Sequence, residues 1–354
     1  MRLEKRARQS PMALVLAPIG AVAFTMLVSA LLVLWAGAAV PQTYRLLLVG
    51  GFGSVFALSE TLTRAIPLML TGLAATVAFK ARLFNIGAEG QLYAGALAAV
   101  AVGGLHGGTG FEQIPAPVLF ALMMLAAALA GALLLLGPAL MKQRLGVDEV
   151  VTTLLLNFIM LLLVSMLLDG PMKDPTAMGW PQSVALVGDL ELSKLIPQTR
   201  VHSGLLWGLV LAVAVWAMLK FTVLGFDIRA VGANARAAAF AGVPVTRTVV
   251  LVAMLSGALA GLAGAIEVAG RTGYVTLDMS PGYGYSGIVI AMLAALHPLG
   301  VVLASVFVAG VLVGADSMSR AIGVPTYIAD VIVAASLLSV LVATLLTQYR
   351  VRLK

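Results

Sequence analysis

The sequence predicts an all-α, polytopic membrane protein with about ten transmembrane helices, and three observations support this fold class. Hydrophobic residues make up 61% of the 354 residues and charged residues only 10%. The mean hydropathy is +1.06, well above that of a soluble domain, whose surface needs more charge. The apolar residues also fall in runs of about 20, the length a helix needs to cross a bilayer.

The first run follows a basic N-terminus, Arg2 to Arg8, and is too long for the apolar region of a signal peptide. An uncleaved first helix is therefore predicted. The run over 285–315 is divided by Pro298 and Gly300, which leaves open two short helices or one broken helix. The predicted spans lie near 14–40, 62–80, 87–105, 115–141, 149–168, 204–221, 248–269, 285–297, 299–315 and 326–347.

Ten spans put both termini on the same side of the membrane. With the N-terminus inside, about two thirds of the 22 Lys and Arg residues face the cytoplasm. The positive-inside rule therefore predicts that both the N-terminus and the C-terminus face the cytoplasm (N-in/C-in). It would form a single transmembrane domain over 1–354, with an extracytoplasmic loop at 169–203 and a cytoplasmic loop at 222–247.

A weak similarity between two parts of the sequence indicates inverted repeats. The motif Leu70–Ala75 leads to the glycine-rich Gly87–Gly90, and Leu259–Gly264 leads to Gly282–Gly287. The two preceding helices would run in opposite directions, as in many transporters.

The polar residues inside the apolar runs are the candidate site. Two interpretations of the glycine-broken segment 85–91 remain open. Asn85 could cap the next helix with Glu89 in its first turn, or the segment could line a polar route through the membrane. Asn157 could bond between helices or contact substrate, and the tyrosines could lie at the membrane interface or stack on a ring. The candidate pathway residues are Asn85, Glu89, Gln91, Asn157, Tyr283 and Tyr285.

The inner loop predicts a short capped helix. Asn234 is a good N-cap for Ala235–Ala241, Gly242 suits the left-handed position after it, and Pro244 ends it. Such a helix is too short to be stable alone, so it docks either on the protein's own helices or on a cytoplasmic partner. In the second case Arg229 and Arg236 would meet an acidic surface.

Other patterns narrow the function class. The Gly257/Gly261 pair predicts close helix packing. The sequence has no Cys, no phosphate-cradling Gly-x-x-x-x-Gly-Lys-Ser/Thr motif and no His-Glu-x-x-His motif. We therefore predict no enzyme activity, cofactor or metal for this chain, and its scattered basic residues argue against nucleic acid.

The block Lys80–Gln91 resembles permeases of nucleoside-type ABC importers, within the branched-chain amino acid and ribose permease group. Further similar blocks lie at 148–157, 232–242, 256–264 and 282–288. The segment Ala294–Pro298 departs from the pattern, since such permeases often carry a glycine-rich or polar turn there. Simple sugars, another small polar solute, an ATP-independent channel or carrier and an export permease remain open as alternatives.

The resemblance implies an ATP-driven importer of the bacterial cytoplasmic (inner) membrane that depends on a solute-binding protein. Its partners would be a cytoplasmic ABC ATPase that binds ATP and Mg, a second and non-identical permease, an extracytoplasmic solute-binding protein and membrane lipid. The resemblance also implies that the inner loop is the segment that couples the ATPase to the membrane helices. The residues in this role are Arg229, Gly232, Asn234, Arg236, Ala238, Phe240 and Gly242.

Overall fold

A computed structural model describes residues 2–5, 39–104, 114–323 and 349–352, with isolated residues and short runs between 20 and 37 and between 331 and 342. The body of the protein is helical, which confirms the all-α prediction there. The exception is an antiparallel pair of short strands at the chain ends. The elements are β1 (Arg2–Lys5), α1 (Val40–Phe52), α2 (Val55–Lys80), α3 (Ala88–Gly103), α4 (Ala116–Leu145), α5 (Glu149–Asp169), α6 (Gly204–Phe221), α7 (Val223–Phe240), α8 (Val245–Glu267), α9 (Tyr283–Leu293), α10 (Pro298–Ile322) and β2 (Tyr349–Arg352).

Within the described residues, six helices are long and apolar enough to cross a membrane: α2, α4, α5, α6, α8 with its continuation to Thr272, and α10. A bent pair, Met26–Trp35 with α1, would make a seventh if it is one span. The prediction of ten spans is not confirmed. The predicted spans at 87–105 and 285–297 correspond to α3 and α9, which have only 16 and 11 residues. The predicted helices at 14–40 and 326–347 lie largely outside the described residues.

The stretch 285–315 contains two helices and not one broken helix. α9 ends at Leu293, and α10 begins at Pro298 and continues for 25 residues, so the predicted short ninth helix is wrong. Ala295 and Leu296 between them have left-handed φ values of 49° and 58°. Proline at the first position of a helix loses no hydrogen bond, which explains why a new helix starts there.

The chain forms two compact units, Met1–Leu62 with Val306–Lys354, and Thr63–Ser305. In the first unit α1 packs closely on the second half of α10. A Cβ added at Gly51 would lie 2.2 Å from the Gly310 carbonyl oxygen, and one at Gly314 would lie 2.0 Å from that of Leu47. The prediction of a single domain over 1–354 stays a prediction.

The core of the second unit is the contact of α3, α4 and α8. Added Cβ atoms at Gly131 and Gly264 would lie 2.2 Å from the Gly257 oxygen and 1.9 Å from the Leu92 oxygen. Both α3 and α4 therefore touch α8 backbone to backbone, and small residues are required for that approach. The predicted packing role of the Gly257/Gly261 pair is confirmed.

Residues 81–87 separate α2 from α3 because α2 ends in a Schellman motif. The Arg82 amide donates to Phe79 O (3.0 Å), and the Leu83 amide donates to Ala78 O (3.0 Å). Glycine is the usual residue at the left-handed position of this motif, but here it is Arg82, with φ of 55°. The chain thus leaves α2 through a strained turn and enters α3 only at Ala88.

The loop 169–203 folds into a small segment, called here the cap. It holds a 3₁₀ turn, Gly188–Leu190, and two isolated bridges. Three of its backbone amides donate to carbonyls of residues 269–275: Ser183 to Val275, Leu186 to Gly273 and Leu192 to Ala269. The cap is therefore attached to the segment that follows α8.

Candidate functional site

Helix α5 presents a row of polar side chains to the segment between α2 and α3. Glu149, Thr153 and Asn157 are four residues apart and therefore share one helix face. Glu149 accepts a hydrogen bond from the Phe84 amide (3.1 Å) and Thr153 accepts one from the Ile86 amide (3.2 Å). All three side chains are buried. The row supplies the hydrogen bonds that a broken helix needs in an apolar environment.

Asn157 makes the most contacts in this row. Its Oδ1 accepts from the Gly90 amide (2.8 Å), and its Nδ2 donates to Ile86 O (2.9 Å) and to the Tyr285 hydroxyl (3.1 Å). The sequence left two roles open for Asn157, a bond between helices and a contact with substrate. The structure shows the bond between helices. Its contact with substrate stays a prediction.

Asn85 and Gln91 form a reciprocal amide pair. Asn85 Nδ2 donates to Gln91 Oε1, and Gln91 Nε2 donates to Asn85 Oδ1, both at 2.9 Å. Asn85 also donates to Ser256 Oγ (3.1 Å), which donates to Ala74 O. Asn85 does not cap α3 directly, because its Oδ1 accepts from the Gly87 amide (2.9 Å) one residue before the helix.

Glu89 joins the first turns of two helices. It lies in the first turn of α3 and accepts a 2.6 Å hydrogen bond from the Gly284 amide at the start of α9. A Cβ at Gly284 would lie 2.2 Å from the Glu89 nitrogen, so the two N-termini are in direct contact. The carboxylate is buried and lies where both helix dipoles are positive.

The two tyrosines of α9 have different environments. Tyr283 is fully buried, which excludes the membrane-interface position that the sequence left open for it. Its hydroxyl receives a hydrogen bond from Arg271 (3.1 Å), which is also paired with Glu267 (2.6 Å) at the π-turn that ends α8. Tyr285 is 37% exposed while its hydroxyl reaches Asn157. The six candidate pathway residues therefore lie together around the N-termini of α3 and α9.

The predicted short helix of the inner loop is present. Asn234 Oδ1 accepts from the Arg236 and Ala237 amides (3.0 and 3.1 Å), and the Asn234 backbone breaks α7. Gly242 has φ of 85° and closes a Schellman motif. The structure corrects one point: the loop 222–247 is helical from Val223, not only from Ala235.

The other coupling residues divide into buried and exposed groups. Gly232 lies against the end of α2, where an added Cβ would be 1.8 Å from Lys80 O, and Arg229 donates to Leu219 O. Ala238 is buried, Arg236 is exposed, and the Phe240 side chain is 96% exposed. One side of the short helix therefore packs on the protein, and the other side exposes the Phe240 ring to solvent.

A cavity of about 160 Å³ lies beside this short helix. Ala235 lines it from α7, Arg82 from the turn after α2, and Lys142 from the end of α4. Lys142 Nζ donates to Arg82 O (2.9 Å) and forms an ion pair with Glu149. Most of the remaining lining is apolar, and among the described residues no group of three or more His, Asp or Glu could hold a metal ion.

Two titrating groups of the cap are shifted. Burial lowers the pKa of His202 to about 4; its Nδ1 accepts from the Gly204 amide, and its Nε2 has no partner among the described atoms. Hydrogen bonds from the Thr176 hydroxyl and amide lower the pKa of Asp174. Neither residue lies near the cluster around Glu89 in sequence, and both belong to the cap.

Sequence reasoning missed Glu149, Thr153, Ser256 and the buried role of Glu267. The spacing of Glu149, Thr153 and Asn157 is a signal that could have found two of them, because a polar stripe every four residues on an apolar helix needs a polar partner. Ser256 carries no such signal, since it lies in a run of small residues where packing alone explains it.

Comparisons with known protein sequences identify the family of this chain. The family model described as branched-chain amino acid transport system / permease component matches residues 57–341. The guanosine ABC transporter permease protein NupP of Bacillus subtilis is 34% identical over 92% of each chain. The glucose ABC transporter permease protein TsgB13 of Haloferax volcanii is 38% identical over 88% of this chain and 82% of its own. The nucleoside ABC transporter permease protein NupB of Lactococcus lactis is 31% identical over 91% and 89%.

No solved structure matches the chain. The family match nevertheless covers all the residues of the polar cluster and of the short capped helix, and it confirms the resemblance read from the sequence. This chain, with its apolar helices and buried polar cluster, belongs to the permease family of branched-chain amino acid transport systems.

Proposed function

We propose that the chain is the membrane-spanning subunit of an ATP-driven importer for nucleosides. The observation that carries this proposal is the similarity to a guanosine permease and a nucleoside permease, at 34% and 31% identity over about nine tenths of the chain. A relationship that spans the whole chain includes the polar cluster and the coupling loop, and not only the hydrophobic helices.

The polar cluster supports a transport role. Asn85, Glu89 and Asn157 are buried among apolar helices, where polar groups are costly unless they serve a structural or functional purpose. They lie where two short helices meet by their N-termini, the arrangement in which transporters commonly form solute sites. Tyr285 is 37% exposed, and its hydroxyl is a group suited to bonding an uncharged, polar solute.

The short helix after Asn234 supports coupling to a separate ATPase. It is exposed on one side, and burying Phe240 in a partner groove would contribute about 1.5–3 kcal/mol. In this proposal the partners are a cytoplasmic ABC ATPase that carries ATP and Mg, a second permease and an extracytoplasmic solute-binding protein. The chain itself catalyses no reaction. It lies N-in/C-in in the bacterial cytoplasmic membrane.

A second candidate substrate is a simple sugar, and one observation favours it. The glucose permease TsgB13 is 38% identical to this chain. Glucose and the ribose of a nucleoside both carry hydroxyl groups, so hydrogen bonding at the polar cluster does not by itself favour one over the other.

Uptake by the reconstituted complex tests the proposal. Proteoliposomes are prepared with this chain, its second permease and its ATPase, with the ATPase facing the lumen. They should accumulate labelled guanosine only when ATP is in the lumen and loaded binding protein is in the outside medium. Unlabelled nucleosides should compete and glucose should not. Competition by glucose alone would favour the sugar, and uptake that persists without ATP and stops when an ionophore is added would contradict the importer.

A further inference from the structure

The strained turn after α2 is held between α7, which is the proposed coupling helix, and the polar row of α5. On one side, Gly232 of α7 lies against the Lys80 carbonyl. On the other side, Lys142 donates to Arg82 O and is paired with Glu149, which accepts from the Phe84 amide. The Lys142–Glu149 pair therefore holds the turn at two points only two residues apart.

The same pair is connected to the candidate pathway through a rigid element. Glu149, Thr153 and Asn157 lie on one face of α5, so a shift of Glu149 along the helix also shifts Asn157. Asn157 holds Gly90 and Tyr285. A continuous set of backbone and side-chain contacts thus runs from α7 through the turn to the N-termini of α3 and α9.

The surroundings of the turn leave room for movement. A solvent-open cavity of about 160 Å³ lies between the turn, Lys142 and Ala235 of the short helix, so the turn is not close-packed on that side. Arg82 also holds a left-handed conformation, which is unfavourable for a residue with a Cβ. A strained turn that is loosely packed on one side is suited to adopting a second arrangement when α7 moves.

We propose that Lys142 and Glu149 are positioning residues that transmit movement of the coupling helix to the pathway segment 84–90. The inference rests on the proposed function, because it requires an ATPase that moves α7. Neither residue contacts the solute. Their role is to make the turn and α5 move together, so that hydrolysis of ATP changes the hydrogen bonds around Asn157.

The experiment uses the full reconstituted complex and compares three variants of this chain. Lys142→Met removes the donor and the charge, Lys142→Arg keeps both, and Arg144→Met removes an exposed charge two residues away as a matched control. The measured quantity is the number of ATP molecules hydrolysed per guanosine transported. Lys142→Met should raise this ratio about tenfold or more, within the range of allosteric coupling energies, while the other two stay within about twofold of the parent.

A second measurement reports on the turn itself. The chain has no cysteine, so a single cysteine at the half-exposed Phe84 position can be labelled selectively. ATP should change its labelling rate in the parent and in Lys142→Arg, and should leave it unchanged in Lys142→Met. Glu149→Gln keeps an oxygen for the Phe84 amide but loses the ion pair, so it should behave as Lys142→Met does. It replaces Lys142→Met in the experiment if that variant does not fold.

The outcomes separate the inference from the proposed function. If the parent complex transports guanosine with ATP while Lys142→Met and Glu149→Gln retain its ratio and its labelling response, the inference is wrong and the importer stands. A parallel loss of uptake and hydrolysis at unchanged ratio would also overturn it, because that is the result of lost folded protein. A parent complex that transports nothing with ATP overturns the proposed function and the inference together.

Discussion

At the scale of single residues, Asn157 shows what a sequence can and cannot predict. An amide in the middle of an apolar helix indicates a polar partner, and the structure provides three: the Gly90 amide, the Ile86 carbonyl and the Tyr285 hydroxyl. The identity of the partners was not predictable, because two of them are backbone groups freed only by the irregular segment. The membrane-interface alternative for Tyr283 fails for a related reason, since a tyrosine beside glycines resembles an interface residue until its arginine partner is known.

Replacing Asn157 should therefore destabilise the protein more than removing one of its partners. Asn157→Ala leaves three polar groups without their bond and should lower the free energy of unfolding by about 2–4 kcal/mol. Tyr285→Phe removes one of these bonds and should cost about 1 kcal/mol. Thermal unfolding in detergent measures both, and equal effects of the two substitutions would contradict the network described for Asn157.

His202 predicts a pH dependence for the cap. Its pKa is about 4 in the folded protein and about 6.5 in an unfolded chain, so between these values the unfolded state binds more protons. Stability is then complete above about pH 6.5 and falls as the pH is lowered towards 4, by at most about 3 kcal/mol. His202→Gln should remove this dependence from thermal unfolding curves. The exposed His297 lies outside the cap and is the control, and His297→Gln should keep the pH dependence that His202 confers.

At the scale of elements, caps were predictable and long polar helices were not. Asn234 and Gly242 act at the two ends of their helix because their local chemistry suffices for it. The first half of α7, from Val223, was missed because Gly225 and its charged neighbours resemble a loop. There the Thr222 hydroxyl caps the helix (3.1 Å to the Gly225 amide) and packing against Lys80 supports it.

Helix contact through glycine predicts a sharp contrast along α4. Gly131→Ala places a methyl group 2.2 Å from the Gly257 carbonyl oxygen, whereas Gly137→Ala meets nothing within 4 Å. The first substitution should sharply reduce the yield of folded protein, because two helix backbones would have to separate. The second should be neutral or slightly stabilising, since alanine favours the helix by up to about 1 kcal/mol. Similar yields and melting temperatures would exclude this contact.

At the scale of the whole molecule, counting apolar runs treated two short helices as membrane spans. α3 and α9 are as apolar as their neighbours, but each is too short to cross a bilayer by itself. Hydropathy measures composition and cannot show that both helices begin at buried contacts around Glu89. The candidate site was easier to predict than the number of spans, because polar residues in an apolar chain are few. The fold brings the predicted ones together.

Labelling of single cysteines tests the proposed N-in/C-in orientation on a chain that has no cysteine of its own. Met178 of the cap and Phe240 of the coupling helix are both almost completely exposed. An impermeant thiol reagent should modify Met178→Cys in intact cells and Phe240→Cys only after the membrane is permeabilised. The reverse pattern would invert the orientation, and modification of both in intact cells would place the two loops on the same side.

The carboxylate of Glu89 has a consequence for which molecules the proposed importer admits. Paired helix N-termini ordinarily attract phosphate, but here the Glu89 side chain already occupies that place and accepts the Gly284 amide. A nucleotide arriving at α3 and α9 would find this amide already bonded, whereas an unphosphorylated nucleoside needs no such anion site. Discrimination against phosphorylated metabolites would thus come from a fixed contact between the two helices, without any moving part.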